Sequence, residues 1–157
     1  MGSPRQGQIE MMIFGPIEIQ VRILPVYGAS MSAAILLIAH GSRRADANAD
    51  LVRVAAALKT RLPGKIVEIA YLELAQPDIP HGLLLCVEQG ATSIRLLPYF
   101  LSAGAHVTED LEMFRSEFQD RYPALECRLC PPLGLHPLMI DILLARLEEL
   151  LPGAKSE

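Results

Sequence analysis

The hydrophobic positions of this chain fall into short unbroken runs that alternate with stretches of helical spacing. Ile35-Leu36-Leu37-Ile38-Ala39 is wholly apolar and leads at once into His40, Gly41, Ser42 and Arg43. A run that short and that apolar, closed by a glycine turn, reads as a strand buried on both faces, the kind a parallel sheet uses. The same grammar returns at Ile94-Arg95-Leu96-Leu97-Pro98-Tyr99-Phe100-Leu101, which passes through Ser102-Ala103-Gly104-Ala105 into His106.

Between and after these runs the period changes. The spacing predicts a helix over 46–62, with Ala47, Leu51, Val54, Ala55, Leu58 and Leu62 on one face and Pro63-Gly64 as its stop. A strand follows over 65–73. A second helix starts at Asp78, a good N-cap, accepts Pro80 in its first turn and ends at Gly90. After the strand over 93–101, a third helix turns Val107, Leu111, Phe114 and Phe118 inward. It sets Glu109, Asp110 and Glu112 in its first turn, where acids suit the helix dipole, and ends before Pro123. A strand over 125–130 and a helix over 137–151, burying Ile140, Leu143, Leu144, Leu147 and Leu151, complete the pattern. Four strands alternating with helices through right-handed crossovers make an α/β fold. The expectation is a four-stranded parallel sheet with helices on both faces, a three-layer sandwich of flavodoxin-like character. The likeness of successive β-α units is generic to that class, and no sequence repeat underlies it.

Residues 1–30 do not share this grammar. They carry scattered Gly and Pro and only weak alternation at Ile17-Glu18-Ile19-Gln20-Val21-Arg22. They are expected to be an N-terminal extension, poorly ordered or supplying at most one edge strand, and they could reflect an upstream start. A single domain over 31–157 follows, within the usual 100 to 200 residues or so of one domain. With 51% hydrophobic residues the chain has enough apolar surface for a proper core. A net charge of −4 without charge blocks argues against a nucleic-acid partner and for a small molecule. Glu18 and Arg22 interrupt the most apolar part of the N-terminal region, so no run approaches the roughly 20 residues of a membrane span. Arg5 is followed by Glu10 rather than by an apolar core, which fits a signal peptide poorly. The expected location is cytoplasmic. Three cysteines, an odd number, agree with a reducing compartment. Cys127 and Cys130 form a lone CxxC inside strand-like sequence, which reads as core packing: a redox pair wants a helix N-terminus, and a zinc site a second ligand pair.

The candidate chemistry collects at one edge. His40, Ser42, Arg43 and Arg44 follow the first strand, Glu73 the second and His106 the third, and in open α/β sheets reactive groups sit beyond the carboxyl ends of the strands. Two strand ends that each deliver a histidine suggest one site for a metal or a proton. Imidazole suits divalent iron, cobalt, nickel and zinc, and two histidines with at most one carboxylate leave coordination positions open, as turnover requires. The plainer reading of each histidine is a hydrogen-bonded loop residue. His81 and His136 read mainly as capping or packing residues. Arg43 and Arg44 at a helix start oppose the dipole, which an anionic ligand would explain. No phosphate loop is present, since Gly64-Lys65 is followed by Ile66, and no G-x-G-x-x-G follows the first strand, so no nucleotide is expected. Ser42 lacks the frame of a nucleophile elbow, and Ala39 stands where a histidine phosphomutase would carry arginine.

Five motifs then fall in one order: Ala39-His40-Gly41-Ser42-Arg43, Glu73-Leu74-Ala75-Gln76-Pro77, Gly90-Ala91, Leu97-Pro98-Tyr99-Phe100-Leu101 with Gly104 and His106, and Pro131-Pro132-Leu133-Gly134-Leu135-His136-Pro137. Together they resemble the sirohydrochlorin cobaltochelatases and ferrochelatases over about 33–151. The resemblance implies a single chelatase-like domain over 31–157, a class II enzyme that works without ATP. Its reaction would insert Co²⁺, or in relatives Fe²⁺ or Ni²⁺, into sirohydrochlorin within cobalamin, sirohaem or related tetrapyrrole synthesis. It implies His40 and His106 as metal ligands and proton acceptors, with Glu73 as proton relay or transient ligand. Ser42, Arg43 and Arg44 would hold the substrate's carboxylates. The family's longer members enclose the substrate between two such domains, so the resemblance also implies a homodimer. A cobalt or nickel carrier without insertion activity, and a degenerate α/β module that binds neither ion nor tetrapyrrole, are the alternative readings.

Overall fold

Four strands, β1 (Ala33–Ala39), β2 (Ile66–Tyr71), β3 (Ser93–Pro98) and β4 (Glu126–Leu129), pair in parallel in the order β2-β1-β3-β4. The computed structural model describes residues 32–102, 104–134 and 136–149, so the extension expected over 1–30 and the burial expected for Leu151 lie outside the described residues. β1 lies inside the sheet, with Ala34 opposite Ile66 of β2 and opposite Ile94 of β3. Its side chains alternate between two packed faces. Leu36 and Ile38 are fully buried on one and Leu37 nearly so on the other, which is why the strand reads as an unbroken apolar run.

Four helices, α1 (Ala45–Arg61), α2 (Ile79–Glu88), α3 (Ala105–Arg121) and α4 (Leu138–Glu148), follow the strands in turn. α1 covers one face, packing Leu51 and Ala55 with Leu37, Val67 and Tyr71. α2 and α3 cover the other with Leu83, Cys86, Leu111 and Phe118 against Leu36, Ile38, Ile94 and Leu96. Asp78 caps α2 as expected, its carboxylate accepting the His81 N–H at 2.9 Å, with a proline in the first turn. α2 lies unusually close to the sheet. A Cβ on Gly82 would sit 2.8 Å from Leu36 Cδ1 and 3.0 Å from Ala70 Cβ.

Two expectations are corrected. α3 starts at Ala105 with extended Gly104 as its N-cap, two residues ahead of the first inward side chain, Val107. The Gly104 carbonyl accepts the Thr108 N–H at 3.1 Å and closes that first turn. His106 is therefore the second residue of a helix, and Glu109, Asp110 and Glu112 fall beyond the first turn. The apolar face of α4 is not buried: Ile140, Leu143, Leu144 and Leu147 are 53–62% exposed. α1, α2 and α3 each bridge two strands and are drawn onto the sheet by that connection. Among the described residues α4 leads to no further strand, and nothing draws it inward.

Candidate active site

The chemistry begins where β1 ends. Ala39 is opposite Tyr71, and the pairing runs on past both strands: the Leu72 N–H reaches the Ala39 carbonyl and the Glu73 N–H the His40 carbonyl, each at 2.9 Å. Glu73 is thus carried alongside His40. Gly41 then turns the chain away with φ +95°, and a Cβ there would lie 1.8 Å from the Glu73 carbonyl oxygen. Only glycine satisfies both the backbone angle and the approach.

The consequence is a close pair, with His40 Nδ1 at 3.1 Å from Glu73 Oε1. A carboxylate only accepts, so a proton on Nδ1 would suit Glu73 and leave the lone pair on Nε2. That is the state in which a histidine binds a metal or takes a proton. The side chains of His40 and Glu73 are 56% and 55% exposed, so the site is open to a ligand. On the β3 side the imidazole meets the edge of Phe100, with ring centroids 6.3 Å apart and planes at 83°.

The loop that follows is tied down by residues the sequence reading passed over. Asn48, in the first turn of α1, donates from Nδ2 to the Ser42 carbonyl at 2.8 Å, and its own carbonyl accepts the Tyr71 hydroxyl at 3.0 Å. Burial raises the Tyr71 pKa and keeps that hydroxyl a donor. A polar residue in the first turn of a helix after a glycine turn was the available signal for Asn48. The Ser42 hydroxyl accepts the Arg44 N–H at 3.1 Å, a turn-forming role. Arg43 and Arg44 are exposed. Arg44 reaches Asp46 at 3.9 Å with both side chains largely in water, a pair worth little.

His106 stands apart. Its side chain is 98% exposed, with Nδ1 3.8 Å from Glu109 Oε2. Among the described residues no three His, Cys, Asp or Glu side chains gather as a ready-made metal site, so the structure joins His40 to Glu73 but does not add His106 to them. His136 is occupied in a helix start, its Nδ1 accepting the Leu138 N–H at 3.3 Å. Cys86 and Cys127 are buried, and burial pushes their thiols up to about 12 and about 11. Both stay protonated at neutral pH, unsuited to ligation or redox chemistry.

The CbiX family model matches residues 34–150, a span that takes in the described strands and helices but for the first residue of β1 and includes His40, Glu73 and His106. The chain belongs to the CbiX family. This CbiX chain is 35% identical over 116 residues to the sirohydrochlorin ferrochelatase of Priestia megaterium, covering 74% of itself and 44% of that protein. It is 36% identical over 89 residues to the sirohydrochlorin cobaltochelatase of Methanocaldococcus jannaschii, covering 57% of itself and 62% of that protein. The structure of SirB from Bacillus subtilis with Fe³⁺ matches it with a TM-score of 0.70 at 30% identity, over 81% of this chain and 50% of SirB. The CbiX chain spans about half the length of these bacterial relatives. None of its described helices is long and apolar enough to cross a membrane.

Proposed function

We propose that this CbiX chain inserts a divalent metal into sirohydrochlorin without nucleotide hydrolysis, with Co²⁺ as the ion and Fe²⁺ and Ni²⁺ as its competitors. The observation that carries the reading is the His40–Glu73 pair at the open end of an inner strand. Insertion exchanges one M²⁺ for two pyrrole protons, so the site needs a base beside the incoming ion. His40 Nε2 supplies the lone pair, first toward the metal and then toward a departing proton. Glu73 holds the ring in that tautomer and stabilises the imidazolium that forms. His106 is the second base in this scheme, and Arg43 and Arg44 meet the substrate's carboxylates as charge-assisted donors. Imidazole serves Co²⁺, Fe²⁺ and Ni²⁺ alike, and the relatives' names divide between cobalt and iron.

We further propose a homodimer. Its support is the uncovered apolar face of α4, together with the Priestia megaterium ferrochelatase and SirB, of each of which this chain covers about half. A second copy seated on that face would supply the other wall around the macrocycle.

The test is the absorbance of sirohydrochlorin mixed with Co²⁺, Fe²⁺ or Ni²⁺ and the protein, without nucleotide. Conversion above the protein-free rate for at least one ion is the expected result. Metal binding without any gain in conversion would make the protein a carrier.

A further inference from the structure

Three large apolar side chains are exposed next in sequence to the two residues that touch His40: Leu74, Tyr99 and Leu101, at 54%, 39% and 66%. Their placement follows from the sheet order. Leu74 directly follows Glu73, whose carboxylate lies 3.1 Å from His40 on the β2 side. Tyr99 and Leu101 flank Phe100, whose ring edges against His40 from the β3 side. Leu74 and Leu101 thus lie just beyond the ends of the two strands that flank β1, while Arg43 and Arg44 lie exposed on the loop directly after His40. Leu74 also holds φ +62°. A leucine in the left-handed region is an outlier, and outliers of this kind gather at functional sites. An apolar centre beside a cationic border matches a flat macrocycle with apolar ring faces and a carboxylate rim.

We propose that Leu74 and Leu101 form the apolar rest on which one face of the tetrapyrrole lies, holding its centre over His40. This rests on the chelatase reading above, and it assigns substrate binding to two residues that carry no polar chemistry. The ring is favoured over a second copy as the occupant because Arg43 and Arg44, exposed on the loop after His40, match a carboxylate rim.

The experiment titrates sirohydrochlorin into the full-length protein without metal, followed by absorbance, for wild type, Leu74→Asn, Leu101→Asn, Leu74→Gly and Leu74→Met. Each asparagine variant is expected to weaken ring binding about tenfold, the effect of losing roughly half of one leucine's burial. Leu74→Met is expected within about threefold of wild type, and the KM for metal should not move in any variant. Leu74→Gly relieves the left-handed backbone, so it should melt at or above the wild-type temperature while binding the ring as poorly as Leu74→Asn, which separates binding from folding. Wild-type ring affinity in both asparagine variants would overturn the proposal and leave the chelatase reading standing. So would a loss of dimer in those variants with ring affinity unchanged. If the wild-type protein itself binds no sirohydrochlorin, both fall together.

Discussion

His40 has two neighbours of different kinds that the proposed mechanism uses. Glu73 acts through a close carboxylate contact, Gly41 through the absence of a side chain. Replacing Glu73 by Gln keeps the shape but removes the charge that stabilises an imidazolium, and it frees the amide to present either a donor or an acceptor. Loss of such a partner typically costs 10- to 100-fold in activity or metal affinity. Glu73→Gln should therefore lower the insertion rate by about that much and leave the melting temperature within a few degrees, checked by initial rates and thermal melts on the same preparation. Gly41→Ala is expected to cost stability as well. A methyl group 1.8 Å from a backbone oxygen cannot be relieved by a rotamer change, and the left-handed angle alone costs about 1–2 kcal/mol. Urea titration should show a larger loss than that, with insertion falling alongside. Both residues were visible in the sequence as strand-end groups. Their partnership was not, because it depends on β2 pairing with β1 two residues beyond the last strand position, a register that no local pattern encodes.

Among the elements, those that bridge two strands were legible and the one that does not was not. β1 announced itself through an apolar run that only double-sided burial tolerates, and α2 through its Asp78 cap and Pro80. α4 has the same amphipathic pattern as the others, yet its leucines face solvent. Periodicity shows which face of a helix is apolar and is silent on what covers it. His106 was read as a loop residue for a related reason: the helix starts at the cap, Gly104, and not at the first inward side chain. The glycine inside α2 is informative in the other direction. Gly82 lets the helix settle onto Leu36 and Ala70, so Gly82→Ala should overpack the interface and cost about 1–3 kcal/mol. Because the helix lies on the face away from α1 and its loop, activity per folded molecule should stay close to wild type, as unfolding curves and rates normalised to folded protein would show.

For the whole molecule, the sheet places a reactive pair at an edge open to solvent, while α4 leaves an apolar stripe uncovered. A single copy therefore offers one wall of a site. Leu143→Glu with Leu147→Glu should yield a folded monomer, because both side chains are already exposed and their replacement removes no core contact. Light scattering should report the halved mass and circular dichroism an unchanged fold. A variant that remains dimeric would move the interface elsewhere. The central claim is that His40 does the chemistry. Its most direct test is the rate of Co²⁺ insertion into sirohydrochlorin by His40→Ala beside wild type, each corrected for the protein-free rate. The variant is expected to lose most of the insertion activity while melting close to wild type, since His40 lies past the end of β1 and outside the core. Insertion by His40→Ala at the wild-type rate would contradict it.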